Sequence, residues 1–175
     1  LLKPFLDSVK WGSHEHASEA RCMLHHWEES PFPEDALFLL GIKYSDPIVR
    51  AFAVVQLGRL EDKQLYDYVL QLVQCLKLEN NDDSALLRFL LRRGLRNPYV
   101  IGHYLYWYIK SELHVKQFSR RFSLLLELYV MHCGQHREHL IQQQHVVQNL
   151  LHVTHKVLRI NKKDGKKRTD KLREA

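Results

Sequence analysis

Apolar positions recur every three or four residues along most of the chain, the period of a helix with one buried face. Asp46-Pro47 reads as a helix start, because Asp can accept from orphan amides and Pro suits the first helical position. Val49, Phe52, Ala53 and Leu57 then form one stripe, and Gly58 follows near the stop. A second stripe holds Leu65, Val69, Leu72, Val73 and Leu76. Asn80-Asn81-Asp82-Asp83 is turn and cap chemistry, with Asp82-Asp83 as the cap. Leu86, Leu87, Leu90 and Leu91 should then face inward, and Arg88, Arg92, Arg93 and Arg96 outward. Asn97-Pro98 opens a helix predicted to reach Leu113, with Val100, Tyr104 and Trp107 on one stripe and Ile101, Leu105 and Tyr108 on its neighbour. A further helix is expected from Phe118 to Cys133, broken by Gly134, and a last one from His136 to Arg159. No run alternates as a strand would.

The helices come in pairs that begin near Asp46, Asp83 and Phe118, spacings of 37 and 35 residues. Phe52 and Phe89 fall at the same offset within their pairs. A helix–turn–helix period of that size marks an α-solenoid, in which stacked pairs cover one another's apolar faces. The fold class expected is therefore all-α, a solenoid of stacked antiparallel helix pairs. An irregular bundle is the alternative.

With 175 residues, 45% of them hydrophobic, the chain suits about one domain with a real core. Seven glycines and five prolines are too few for a sandwich or barrel. No stretch approaches the roughly 18 apolar residues of a membrane span, and Leu1-Leu2-Lys3-Pro4 has no secretory-signal character. The net charge of +6 resides at one end. Residues 156–175 carry nine basic and three acidic side chains, whereas the preceding residues carry seventeen of each. A nucleic-acid footprint over the whole domain is not implied. We divide the chain into a helical domain, 1–160, and a basic, mobile linker, 161–175. Lys162, Lys163, Lys166, Lys167 and Arg168 in that linker are candidates for contact with an anionic surface. Cys22, Cys75 and Cys133 are odd in number and far apart, which suits reduced cytosolic thiols; Cys75 reads as a small buried hydrophobe.

Candidate chemistry is sparse. His132, His136 and His139, with Cys133 beside them, have zinc-ligand spacing, but Gly134 interrupts the helix there and no HExxH register exists. His152 and His155 make a weaker pair. No glycine elbow adjoins a cysteine, no phosphate-cradling loop exists among isolated glycines, and no paired carboxylates mark a cleft. The expectation is no catalytic residue, no metal and no cofactor in this chain. The aromatic run Tyr99, Tyr104, Tyr106, Trp107 and Tyr108 suits packing better than base stacking. Arg88, Arg92, Arg93 and Arg96 are candidates for a docking surface, with a solvated helix face as the plain reading.

Several strings carry a family resemblance. Asp46 to Val54 (DPIVRAFAV), Tyr68 to Lys77 (YVLQLVQCLK), Arg88 to Arg93 (RFLLRR), Ile101-Gly102-His103, Trp107 and Lys110-Ser111-Glu112 resemble the helical accessory domain of class I phosphoinositide 3-kinases. Ser8-Val9-Lys10-Trp11 resembles its early helix, and the likeness runs in order over about residues 1–134. Asp83-Ser84-Ala85-Leu86 and Gly94-Leu95-Arg96-Asn97 look most like the gamma type. The resemblance implies a right-handed, armadillo- or HEAT-like superhelix, a non-catalytic scaffold between a membrane-binding domain and the kinase. It further implies a parent that uses ATP and Mg to phosphorylate the inositol 3-hydroxyl of phosphoinositides, with a regulatory subunit as partner. That parent would be cytoplasmic and recruited to the inner membrane surface, with no transmembrane segment and no nucleic-acid partner. A stand-alone helical-repeat adaptor for peptide or acidic partners, or the same domain from a phosphatidylinositol 4-kinase or class III enzyme, are the alternatives.

Overall fold

The computed structural model describes residues 2–28 and 32–173, with side chains through residue 159. All regular structure among the described residues is helical. The chain divides into two units, Leu1–Cys133 and Gly134–Ala175. Gly134 stands at the division with φ of +57°, a left-handed backbone that glycine adopts without steric cost.

The first unit runs through α1 (Leu2–Ser8), α2 (His14–His25), a 3-10 segment (Pro33–Leu40), α3 (Pro47–Leu57), α4 (Asp62–Tyr66) and α5 (Val69–Cys75). After a 3-10 turn (Leu76–Leu78) come α6 (Ala85–Arg96), a π turn (Pro98–Gly102), α7 (His103–Glu112) and α8 (Lys116–His132). Helix α3 starts as its sequence demands. Pro47 takes the first position, and the Asp46 carboxylate accepts from the amides of Ile48 at 2.9 Å and Val49 at 3.2 Å. The cap of α6 is Ser84, whose Oγ accepts from Leu87 N–H at 3.2 Å. Asp82 and Asp83, expected as the cap, instead pair with Arg121 and Arg88.

Helix α3 packs on α6 and α6 on α8, while α5 packs on α7. Two rows of helices thus cover the apolar stripes. Leu65, Val69, Leu72, Val73 and Leu76 are all fully buried, and Val49, Ala53 and Leu57 join them from α3. The stripe contributed by residues 98–113 is Ile101, Leu105 and Ile109, whereas Val100 is exposed and Tyr104, Trp107 and Tyr108 are half-buried. The helix predicted from Asn97 to Leu113 is not continuous. Gly102 N–H donates to Asn97 C=O at 3.0 Å, a five-residue π step, before α7 begins. Close packing dictates that step. A Cβ on Gly102 would lie 2.0 Å from the Tyr129 hydroxyl and 2.6 Å from the Gly94 carbonyl oxygen. Only glycine lets the turn, α6 and α8 meet there.

The second unit is α9, His136–Arg173. It does not end near Arg159; one helix carries the backbone on through the basic segment.

Candidate docking surface and its buried supports

The arginines of α6 part company. Arg88, Arg92 and Arg96, four residues apart, are exposed along one line of the helix. Arg88 donates to the Asp83 carboxylate, Nε to Oδ1 at 2.6 Å, which holds that carboxyl below its usual range. Arg92 and Arg96 form no ion pair among the described residues. Arg93 does not join this face. Its side chain is 16% exposed and forms an ion pair with Asp62 at 2.7 Å. Its nitrogens donate to the carbonyls of Leu60 at 2.7 Å and Gly58 at 3.3 Å. Those carbonyls lie just past the end of α3, so Arg93 ties α6 to the preceding pair of helices. The candidate surface is therefore a line of three arginines; Tyr99, three residues beyond the end of α6, is exposed as well.

Beneath the surface lies a group that the sequence reading missed. Arg50 is 4% exposed and forms an ion pair with Glu79, Nη2 to Oε1 at 2.7 Å. It also donates to the backbone carbonyls of Leu40 at 2.9 Å, Tyr44 at 3.3 Å and Cys75 at 3.2 Å. One guanidinium thus joins the 3-10 segment, the following loop, α3 and the end of α5. A planar five-donor fork suits that task, whereas a lysine ammonium does not. The clue in the sequence is phase. Arg50 precedes Ala53, Val54 and Leu57 by three, four and seven residues, all buried positions.

Other polar contacts brace neighbouring elements. The Glu112 carboxylate accepts from Gln74 Nε2 at 2.7 Å and pairs with Lys77 at 2.8 Å, joining α7 to α5 and the turn after it. The bond from Gln74, then that from Lys77, lowers the Glu112 pKa below the usual carboxylate value. Tyr44 donates to Asp7, which also pairs with Lys43 at 2.7 Å. Burial first, and Asp7 second, push the Tyr44 phenol up to about 12. A cavity of about 310 Å³ opens beside Trp11, Lys43, Tyr44 and Asp46, but its charged groups are already engaged in these contacts and in the Arg21–Asp46 pair.

The histidine constellation is divided. His132 ends α8 with Nδ1 2.8 Å from the Leu128 carbonyl oxygen, whereas His136 begins α9 beyond Gly134. Among the described residues no three His, Cys, Asp or Glu side chains come together as a metal site. His152 and His155 are exposed on α9. Cys75 is half-buried rather than enclosed, and burial raises its thiol pKa. The side chains of Lys162, Lys163, Lys166, Lys167 and Arg168 lie outside the described residues. No described helix is long and apolar enough to cross a membrane.

Comparison with known proteins adds what the geometry does not. The family model for the phosphoinositide 3-kinase accessory domain (PIK domain) matches residues 1–142. Phosphatidylinositol 3-kinase 1 of Dictyostelium discoideum is 41% identical over 164 residues, which is 94% of this chain and 10% of that protein. Phosphatidylinositol 3-kinase 2 of the same organism is 36% identical over 167 residues, 95% of this chain and 9% of that protein. The chain therefore spans about a tenth of the length of these relatives.

Proposed function

The chain belongs to the phosphoinositide 3-kinase accessory-domain (PIK) family, and from that premise we propose that it is a non-catalytic helical scaffold within a larger lipid kinase. The parent would transfer the γ-phosphate of ATP, with Mg, to the inositol 3-hydroxyl of a phosphoinositide. ATP and Mg would bind a kinase region elsewhere in that polypeptide. The scaffold would hold the kinase and membrane-binding domains in a fixed relation and offer a face to a regulatory subunit. Its setting would be the cytoplasm and the inner membrane surface.

The observation that carries the scaffold role is the spacing of the polar ties. Asn80 donates to the Ser45 carbonyl, Asn97 to Asp62 and Arg93 to the Gly58 carbonyl, each across 35 residues. Gln74 reaches Glu112 across 38 and Arg121 reaches Asp82 across 39. Three of these separations equal 35 and the other two exceed the 35–37-residue recurrence of the helix pairs by one or two residues, so polar ties recur between successive pairs. Such repetition supports the reading of the first unit as an α-solenoid.

Charge reversal tests the docking face. Arg92→Glu with Arg96→Glu in the parent kinase should change basal lipid-kinase activity or regulatory-subunit affinity several-fold, with unchanged thermal stability. Activity and affinity both equal to wild type would remove these arginines as an interface. Phosphorylation of phosphatidylinositol vesicles by the purified 175-residue chain with Mg–ATP would overturn the non-catalytic reading itself.

A further inference from the structure

Helix α6 shows solvent little but arginine. From Leu86 to Arg96 every exposed position is one: Arg88, Arg92 and Arg96. Four residues at the helical rise set neighbours about 6 Å apart along the axis. The first rung is already filled. Arg88 grips the Asp83 carboxylate with two donors, Nε on Oδ1 at 2.6 Å and Nη2 on Oδ2. This is the fork-on-carboxylate pairing that a planar guanidinium favours. Arg92 and Arg96 carry the same fork in the same line, exposed and with no ion pair among the described residues.

The ligand could be an anionic bilayer, a nucleic acid, a second copy, a separate protein or another segment of the same polypeptide. Asp82 and Asp83, 45% and 66% exposed at one end of the line, would be pressed against any broad field of phosphates. That opposes a bilayer or a nucleic acid, whereas a short acidic segment can stop before them. A second copy offers Glu15 and Glu19, four apart and exposed on α2. Strength decides against it. One exposed ion pair shifts an equilibrium constant by up to about fivefold. Two or three such pairs do not recruit a second copy or a free protein from dilute solution. Between Leu86 and Arg96 no exposed apolar side chain adds to them. Contacts this weak act on a segment already confined nearby, and a tether supplies that confinement. The relatives are about ten times as long as this chain, so a polypeptide of that kind has ample sequence to provide one.

We propose that Arg92 and Arg96 clasp an acidic segment of the same longer polypeptide, outside residues 1–175, and so continue the row that Asp83 begins. Its carboxylates stand about 6 Å apart, as every fourth residue of a helix or alternate residues of a strand place them. The proposal rests on the reading of this chain as part of a larger kinase. It makes the arginine line an internal clasp rather than a seat for a separate subunit.

Zero-length carbodiimide coupling of the parent kinase is the test, because the reagent joins an amine to a carboxylate in contact with it and leaves guanidinium untouched. Arg92→Lys and Arg96→Lys, each at an exposed position, put an amine on the line and keep its charge. Mass spectrometry should find position 92 or 96 joined to an Asp or Glu outside residues 1–175, in product of monomer mass. Coupling in about 0.5 M salt should lower the yield severalfold. Arg88→Lys is the control and should couple to Asp83. Coupling at position 88 with none at 92 or 96 would overturn the proposal. So would a product of twice the monomer mass, which would give the face to a second copy, or a link to a separate protein. If coupling fails while Arg92→Glu with Arg96→Glu still alters lipid-kinase activity, the docking face stands with another partner. If both fail, the docking face is lost as well.

Discussion

Arg50 shows how much one side chain can hold. It neutralises the largely buried Glu79 carboxylate and satisfies carbonyls from three different segments. A buried pair of this kind adds little net stability over an apolar pair of equal volume, because both charges lost their water. Removing one partner is a different matter, since it leaves the other charge buried and the carbonyls unmatched. Arg50→Met should therefore lower unfolding free energy by about 3–5 kcal/mol in urea titration. Adding Glu79→Gln to that variant should recover part of the loss, because the stranded charge is gone. A loss under about 1 kcal/mol in the single variant would mean that Glu79 finds water or another cation and that Arg50 is not the link described. The contrast with Arg88 is instructive: its pair with Asp83 is more than 60% exposed on both sides and belongs to the class worth little.

At the scale of the element, α3 separates two jobs that Asp46 does at once. One carboxylate oxygen caps the helix and the other receives Arg21 at 2.7 Å. Arg21 is 41% exposed, so solvent weakens the ion pair, while the cap serves amides with no other partner. Asp46→Asn, which keeps a capping oxygen, should cost less than Asp46→Ala, and the difference should be about 1 kcal/mol by thermal or urea melts. Equal losses would assign the stability to the ion pair. This start was legible from Asp46-Pro47, and so was the stripe from Leu65 to Leu76, because local chemistry and helical period fix both. The end of α6 was not. Gly102 turns into a π step because the Tyr129 hydroxyl, 27 residues away, fills the space a Cβ would need, and no local pattern encodes that. Nor does a run of Asp82, Asp83 and Ser84 reveal which residue caps when Arg121, 39 residues on, claims Asp82 and Arg88, one turn into the helix, claims Asp83. Arg93 was misplaced for a like reason. The helical wheel sets it beside Arg92 and Arg96, and the carbonyls of Gly58 and Leu60 past α3 draw it inward.

At the scale of the whole first unit, the recurring ties make a claim about cooperativity. In a linear stack each pair of helices meets only its neighbours, so damage at one junction should remain there. Arg121 offers the cleanest junction to break. It lies on α8 with a side chain 13% exposed, and joins the pair before it through the Leu76 carbonyl at 2.6 Å and Asp82 at 3.1 Å. Arg121→Ala should free α7 and α8 to open without α3. Native-state hydrogen exchange would then show slow amides of α7 and α8 exchanging about tenfold to a hundredfold faster, a change of about 1.4–3 kcal/mol in local opening. The amides of Val49–Leu57 should keep their wild-type rates. A bundle with one shared core would respond otherwise, because its slow amides all exchange through global unfolding and would accelerate together. The pattern of rates, not the size of the loss, therefore distinguishes paired helices stacked in series from helices gathered round a single centre. The same distinction bears on function, since a series of junctions can pass a displacement from one docked domain to another only through each link in turn.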